Sequence, residues 1–185
     1  GLVAASVFGI WFLKREGVPL YKGMDIAAIS ISLGLVFGRL GCILGGCCFG
    51  VRTEHPIGVS FPPFYPSSES QRRAGLLEAP HLASLPVHPT QLYEALGCLL
   101  ITAFLLFWLR PRKRFDGQVI LVFIGAYALL RFVLEYWRAD ERGGFLGLST
   151  SQWLAVPALL LVAALWRKWR HRPPQNPGDR LSSRK

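Results

Sequence analysis

The sequence predicts an all-α protein, a polytopic bundle of transmembrane helices. Of its 185 residues 51% are hydrophobic and only 17% are charged, whereas a soluble domain carries about 25% charged residues. The apolar residues form long uninterrupted runs, as membrane spans do. The net charge of +10 comes mainly from basic blocks that directly follow these runs. This placement is typical of a membrane protein, and we expect no nucleic acid partner.

Five apolar runs are candidate spans, and a full span needs about 20 residues. They cover residues 1–13, 26–49, 90–109, 118–137 and 151–166. The second, third and fourth are long enough. The first is cut short by the start of the chain, which we interpret as N-terminally truncated or processed. The fifth can extend through Trp166 and Trp169, since tryptophan suits the membrane interface.

The loops between the runs alternate in charge. Most of the Lys and Arg residues lie in the first loop, the third loop and the C-terminal tail. The positive-inside rule therefore places the C-terminus in the cytoplasm and the Pro- and Ser-rich loop 51–88 on the outer face. We expect one transmembrane domain, residues 1–172, and a basic disordered tail, residues 173–185.

Polar residues at the ends of the runs predict where helices begin. Asp25 is placed to cap the second helix, and Asp116-Gly117 predicts a turn before the fourth. Ser149 with Gln152 predicts a capping box before the fifth.

Arg39 is the first ionisable residue within a predicted span, where such groups are costly and usually functional. It lies beside a predicted small-residue face, formed by Ser30, Gly34 and Gly38, that would let another helix approach closely. The glycines after Gly41 are expected to open the helix around a protein-enclosed site. A planar guanidinium there suits a phosphate. The alternative is an arginine that reaches out to the membrane surface, and we favour the phosphate site.

The fourth run carries a polar stripe. Its Tyr127, Arg131, Glu135 and Arg138 fall within about 80° of one helix face, so they should face the bundle interior. Arg131 and Glu135 can form an ion pair at i, i+4. A second arginine directed at the same interior as Arg39 would complete an anion clamp. The alternative is a structural ion pair without a ligand.

The segment from His88 to Glu94 opens the third run. Pro89 suits a helix start, which leaves His88 at the membrane surface and Glu94 one to two turns inside. His88 could move a proton or could tether the loop, and the sequence leaves both open.

Three cysteines, Cys42, Cys47 and Cys48, follow Arg39. Their spacing does not match a C-x-x-C metal pair, and small apolar side chains suit a Gly-rich helix. We therefore expect no metal and no cofactor, with a redox or metal role as the alternative.

Three motifs together resemble a known family. They are Gly38-Arg39-x-Gly41 with Gly46-x-x-x-Gly50, then His88-Pro89-Thr90-Gln91-Leu92-Tyr93-Glu94, and last Tyr127-x-x-x-Arg131-x-x-x-Glu135-x-x-Arg138. In this order they resemble the bacterial prolipoprotein diacylglyceryl transferases.

The resemblance implies a multi-pass inner (plasma) membrane enzyme with its active site towards the periplasmic side. Such enzymes transfer the diacylglyceryl group of phosphatidylglycerol to the lipobox cysteine thiol of prolipoprotein signal peptides. A thioether forms and glycerol phosphate leaves. The implied partners are these two substrates and membrane lipid. The positions that match the family's essential arginines are Arg39 and Arg131, and Tyr127 matches an important tyrosine of its late helix. We expect these three to be catalytic, with His88 as a candidate substitute for the family's upstream histidine base. The expected substrate-binding residues are Arg39, Arg131, Glu135, Arg138, Glu94 and Gly41.

The chain also departs from the family pattern. The family carries a His-Gly-Gly segment upstream of the position that corresponds to Gly1. It usually has Asn where Cys42 stands and often Glu where Cys47 stands, which indicates a divergent member. The alternatives are a non-catalytic membrane protein, such as a lipid-binding or transport subunit, an inactive fragment of the transferase, or a membrane redox or metal-binding protein.

Overall fold

A computed structural model describes residues 1–139, 144–145 and 148–171. The regular secondary structure of the described residues is helical, apart from one short hairpin and isolated β-bridges. Its helices, in chain order, are α1 (Leu2–Arg15), α2 (Leu20–Leu44), α3 (Pro66–Arg73), α4 (Thr90–Arg112), α5 (Gln118–Leu134) and α6 (Thr150–Trp169). Within α4 the stretch Phe104–Leu109 is π-helical, and a 3₁₀ turn, Glu135–Trp137, continues α5. Strands β1 (Gly144–Phe145) and β2 (Leu148–Ser149) pair antiparallel before α6.

Three of these helices are long and apolar enough to cross a membrane. They are α2, α4 and α5 with its 3₁₀ turn, and they correspond to the second, third and fourth predicted spans. By their length and composition these helices suit a membrane protein, as the sequence predicted. The first and fifth runs also form helices, α1 and α6, but neither is among these three, so five crossings stay a prediction.

The face of α2 that meets α4 differs from the predicted one. Ala28, Ser32 and Val36 are the buried residues there. The hydroxyl of Ser32 donates to the carbonyl oxygen of Cys98 at 3.2 Å, and the hydroxyl of Thr102 donates to Ser32 at 2.8 Å. The predicted face of Ser30, Gly34 and Gly38 is exposed, and within the described chain an added Cβ at either glycine meets nothing within 4 Å. The predicted face was therefore wrong. The residues that do meet α4 are also spaced by four, but each lies two positions before its predicted counterpart.

Asp25 caps a different helix from the one predicted. Helix α2 begins after Pro19, more than one turn before Asp25. The buried Asp25 carboxylate instead accepts hydrogen bonds from the backbone N–H groups of Gly117, Val119 and Ile120, at 3.0, 2.9 and 3.1 Å. These groups start α5 and lack partners within their own helix. The predicted turn before α5 is confirmed, since Gly117 has φ +93°.

The apolar core lies at the end of the bundle where α5 begins. Leu105 and Leu121 are its largest fully buried apolar residues, and Trp169 of α6 packs against Gly117 there. The capping box of α6 is confirmed: Gln152 N–H donates to the Ser149 hydroxyl at 3.3 Å, and Ser149 N–H donates to the Gln152 side chain at 3.0 Å. The predicted disordered tail, residues 173–185, lies outside the described residues.

The loop between α2 and α4 is packed, and it contains α3. Phe61, Ser67 and Val87 are buried in it. The Gln71 side chain both donates to and accepts from the backbone of Leu85, at 3.2 and 2.7 Å. This loop therefore forms a folded cover at the end of the bundle opposite the apolar core.

Candidate active site

A buried carboxylate, Glu94, is the centre of the polar site. It is 1% exposed and lies in the second turn of α4. Its Oε1 accepts a hydrogen bond from the Tyr127 hydroxyl at 2.9 Å and pairs with Arg39 Nη2 at 2.9 Å. Its Oε2 accepts from Arg131 Nη1 at 3.1 Å and lies 3.9 Å from Arg138 Nη1. Residues from three separate helical segments thus converge on one carboxylate.

Helix directions explain this convergence. Contacts such as Ser32 to Cys98 near the middle and Arg39 to Glu94 near the end show that α2 and α4 run antiparallel. The C-terminal ends of α2 and α5 therefore meet the N-terminal end of α4. On α5 a spacing of four residues is close to the 3.6-residue helical period, which directs Tyr127 and Arg131 to the same interior. Arg138 follows the 3₁₀ turn in an extended conformation and reaches the same carboxylate from there.

Arg131 connects the site to two further elements. Its Nη2 lies 3.6 Å from Glu135 Oε2 and donates to the Ser151 hydroxyl of α6 at 3.2 Å. The predicted pairing at i, i+4 is therefore present. The side chains of Arg39 and Arg131 remain 18% and 12% exposed, whereas that of Arg138 is 3% exposed. Arg39 and Arg131 thus keep a surface that a ligand can reach.

The cluster has an unbalanced charge. Among the described residues, three guanidinium groups face the two carboxylates of Glu94 and Glu135, which leaves one net positive charge in this described set. Charges interact strongly in a partly buried site because water screens them poorly there. The arrangement therefore favours binding of a single monovalent anion, such as a phosphodiester.

Two predicted site residues lie apart from these contacts. His88 Nδ1 lies 3.1 Å from the Tyr93 hydroxyl, beside a cavity of about 370 Å³ lined by Ile57, His88, Tyr93, Leu134 and Trp137. Within the described chain, no side-chain contact joins His88 to Glu94. Gly41 lies on the exposed face of α2, and an added Cβ there meets nothing within 4 Å among the described residues. Their roles stay predictions.

The glycine-rich segment ends α2, as its composition predicted. Gly45 follows the last helical residue, and Gly46 and Cys48 then adopt left-handed backbone conformations, with φ +60° and +59°. The first turn of α4 holds this segment: the Thr90 hydroxyl donates to the Cys48 carbonyl at 2.8 Å, and the Gln91 amide donates to the Cys47 carbonyl at 2.7 Å. Gln91 and Thr90 are anchors that sequence analysis did not assign, although both lie in a quoted motif.

Gly50 occupies a point where three chain segments meet. Its N–H donates to the His88 carbonyl at 2.8 Å, and the next residue, Val51, donates to the Trp137 carbonyl at 2.9 Å. A Cβ at Gly50 would collide with the Trp137 carbonyl oxygen and would lie 2.8 Å from that of His88. Only glycine fits between these two backbones.

The three cysteines gather at this turn, which their spacing did not indicate. The Sγ atoms of Cys42, Cys47 and Cys48 lie within 4.8 Å of one another. Burial raises the pKa of the Cys47 thiol to about 11. Burial opposes ionisation of Cys48, but Arg138, Cys47 and Arg39 together outweigh it and lower the pKa of that thiol below its usual value.

An apolar groove leads away from the arginines between α5 and α6. Its volume is about 290 Å³, and its lining residues include Tyr127 and Arg131 at one end and Phe123, Ile124, Leu154 and Ala158 further along. A molecule with a charged head and an apolar tail matches this combination of surfaces.

Several known proteins are similar to this chain in sequence. A phosphatidylglycerol–prolipoprotein diacylglyceryl transferase of Clostridium tetani is 30% identical over 162 residues, which is 86% of this chain and 58% of the relative. The Wolinella succinogenes enzyme of the same name is 34% identical, over 86% of this chain and 53% of its own length. The Bordetella parapertussis enzyme of that name is 35% identical, over 94% of this chain and 61% of its own length.

The chain thus spans between half and two thirds of the length of these relatives. The family model for prolipoprotein diacylglyceryl transferase matches residues 1–168, which include every residue of the Glu94 cluster. The chain therefore belongs to the prolipoprotein diacylglyceryl transferase family.

Proposed function

We propose that this protein transfers the diacylglyceryl group of phosphatidylglycerol to the lipobox cysteine of a prolipoprotein. The observation that carries the proposal is the convergence of Arg39 and Arg131, from separate helices, on Glu94. The relatives are named for this activity, and phosphatidylglycerol carries a single negative charge at its phosphate. The one net positive charge of the cluster matches that phosphate.

In the proposed reaction the sulfur of the prolipoprotein cysteine attacks the glyceryl carbon that bears the phosphate oxygen. A C–S bond forms, the C–O bond to phosphate breaks, and glycerol phosphate leaves. The thiol proton passes to a base or to the departing phosphate. Negative charge grows on the phosphate during this step, so preorganised arginine donors stabilise the transition state more than the ground state.

Each residue of the cluster then has a role in the proposal. Arg39 and Arg131 hold the phosphate, and Tyr127 donates a hydrogen bond at the same place. Glu94 fixes the two guanidinium groups, while Glu135 and Arg138 complete the charge of the cluster. Gly41 stays a proposed substrate-binding position on the exposed face of α2.

His88 is proposed as the base that accepts the thiol proton. An imidazole suits proton transfer, and the cavity of about 370 Å³ beside His88 leaves space for a substrate group. The backbone contacts of His88 with Val51 and Gly50 support the other role left open by the sequence, that of a loop tether. A base and a tether are compatible in one residue.

The groove between α5 and α6 supports a lipid substrate. It is mostly apolar and ends at Tyr127 and Arg131, so an acyl chain in the groove would place the lipid phosphate at the guanidinium groups. Burial of an acyl chain contributes about 0.8 kcal/mol per methylene group. This contribution would hold the lipid while the arginines act on its phosphate.

We further propose the location and the domain organisation. The protein lies in the bacterial inner membrane as one multi-pass domain, residues 1–172, with a basic tail, residues 173–185, in the cytoplasm. The basic blocks beyond the first, third and fifth runs support this orientation. The Glu94 cluster and loop 51–88 would then face the periplasm, where prolipoproteins present their cysteines.

The test uses the protein expressed from its complete reading frame and purified in detergent. With phosphatidylglycerol and a peptide that contains a lipobox cysteine, we expect equal amounts of glycerol phosphate and of peptide that has gained one diacylglyceryl group. A peptide with Ser in place of that cysteine should give neither product. If no glycerol phosphate is released with the cysteine peptide, the transferase proposal is wrong, and tight binding of the lipid alone would indicate a lipid-binding subunit.

A further inference from the structure

The thiols of Cys42, Cys47 and Cys48 lie close together at the end of α2. All three Sγ atoms are within 4.8 Å of one another, and each residue is partly buried. We propose that these three cysteines form a binding site for a thiophilic divalent cation of the zinc class. The cysteine at position 98 is fully buried in the bundle and is not part of the site.

The backbone turn makes this site from an unusual spacing. After α2 ends, the left-handed conformation of Gly46 reverses the chain. The N–H of Cys47 then donates to the carbonyl of Cys42 at 3.1 Å, and a second left-handed residue, Cys48, brings its thiol to the same place. The reversal replaces the turn that a C-x-x-C motif provides in other zinc sites.

Side chains of α4 stabilise the turn that carries Cys47 and Cys48. The Thr90 hydroxyl and the Gln91 amide of α4 bind the carbonyl oxygens of Cys48 and Cys47, and both of these α4 residues are 1% exposed. Ligands on a fixed backbone lose little conformational entropy when they bind a metal. The site is therefore largely preorganised.

The sulfur spacing fits a metal after a small adjustment. A zinc–sulfur bond of about 2.3 Å in tetrahedral geometry separates two sulfur atoms by about 3.8 Å. The thiols therefore need to approach one another by about 1 Å at most, which side-chain rotation can supply. Three protein ligands leave the fourth position of the metal open for water.

The positive charge of nearby arginines is compatible with a negatively charged metal–thiolate complex. When the metal binds, the three thiols release three protons, so the complex carries one negative charge. The positive charges of Arg138 and Arg39, which belong to the Glu94 cluster, favour the thiolate form of Cys48. These guanidinium groups offset the charge of the complex, which would otherwise be costly in a partly buried place.

A disulfide is the competing use of these thiols. A bond between two of the cysteines would release two electrons and two protons to an external oxidant such as a quinone or another disulfide, and the third thiol would have no role. The convergence of all three sulfur atoms favours the metal site.

The test titrates the purified full chain, kept reduced and freed of metal by a chelator, with Cd²⁺ as a spectroscopic substitute and with Zn²⁺. We expect a thiolate-to-cadmium charge-transfer band that saturates at one equivalent, competition by Zn²⁺, and a higher melting temperature with metal. Cys42→Ser, Cys47→Ser and Cys48→Ser should each weaken binding by at least about tenfold.

Cys98→Ala is the matched control, since it removes a buried thiol outside the cluster, and it should bind metal as the unaltered protein does. The helix content of each variant without metal, measured by circular dichroism, identifies any variant that has simply failed to fold. The proposal is overturned if the band is absent, if it survives in the well-folded single variants, or if it is lost in a well-folded Cys98→Ala. A purified protein that is two hydrogen masses lighter and takes up no metal would indicate a disulfide instead.

Discussion

Glu94 determines the geometry of the polar site at the scale of single residues. A carboxylate that is 1% exposed is stable only when cations and donors surround it, and Glu94 has a tyrosine and three arginines. Its removal would leave the three guanidinium groups with Glu135 as the only carboxylate that faces them among the described residues. Glu94 is therefore a positioning residue for both proposed phosphate ligands.

We predict that Glu94→Gln destabilises the folded protein by about 3–5 kcal/mol, because it breaks a buried ion network from one side. Its transfer rate should fall as well, since Arg39 and Arg131 lose their common partner. Thermal unfolding in detergent and glycerol phosphate release measure the two effects. Glu69→Gln is the control: Glu69 pairs with Arg72 and Arg73 on the surface of the loop, and its loss should change neither quantity. Equal stability of the two variants would contradict the role of Glu94.

At the scale of elements, α5 depends on a residue of α2 for its start. The Asp25 carboxylate accepts three backbone N–H groups of α5 and also pairs with Lys113 at 3.1 Å. Such an anion at a helix N-terminus satisfies free donors and interacts favourably with the helix dipole. The anchor fixes the start of α5, and the polar stripe of α5 occupies the other end of the same helix.

We predict that Asp25→Ala lowers stability by about 2–4 kcal/mol, because several buried N–H groups lose their acceptor. Ser30→Ala on the same helix should be neutral, since the exposed Ser30 hydroxyl donates to the carbonyl of Ile26 in its own helix. Melting temperatures of the two variants in the same detergent provide the comparison. A similar melting temperature for Asp25→Ala and the unaltered protein would show that α5 starts without this anchor.

The segment after α2 and the start of α4 meet through Gly50. We predict that Gly50→Ala abolishes transfer and lowers stability, because its Cβ would collide with backbone atoms of Trp137 and His88 that cannot move aside cheaply. Gly34→Ala, whose Cβ would meet nothing within 4 Å in the described chain, should be tolerated. Expression level, melting temperature and transfer activity are compared for the two variants, and an active Gly50→Ala would contradict the close approach.

The groove between α5 and α6 gives a prediction about the lipid. Ala158→Phe should raise the KM for phosphatidylglycerol several-fold, because the ring fills space proposed for an acyl chain, while kcat should change less. Leu160→Phe is the matched control, since Leu160 is 67% exposed and does not line the groove. An unchanged KM in Ala158→Phe would place the acyl chain elsewhere.

For the whole molecule, hydropathy was sufficient to predict the main helices. The starts of α4 and α5 lie at Thr90 and Gln118 as predicted, because an apolar run follows a turn residue at each point. The start of α2 was predicted six residues too late, because Asp25 was interpreted as the cap at the N-terminus of this helix. Its carboxylate is buried only because α5 supplies donors from far along the chain, and no local pattern shows that.

The polar site was predictable in part for a similar reason. The helical period put Tyr127, Arg131 and Arg138 on one face, and an arginine within a span indicated Arg39. The binding of all these side chains to Glu94 depends on how the helices pair. The approach of the three cysteines after α2 depends on two residues in left-handed backbone conformations. These features are set by tertiary structure rather than by spacing.

The most direct test of a shared phosphate site is a double-mutant cycle on Arg39 and Arg131. The measured quantity is the kcat of glycerol phosphate release by the protein expressed from its complete reading frame. If both arginines act on one phosphate, each Ala substitution should lower kcat by roughly 10²–10³-fold, and the double variant should be little worse than either single variant. Arg52→Ala, which removes an exposed side chain of the loop between α2 and α4, should retain full activity. Independent losses that multiply in the double variant, or near-normal release by either single variant, would contradict a shared phosphate site.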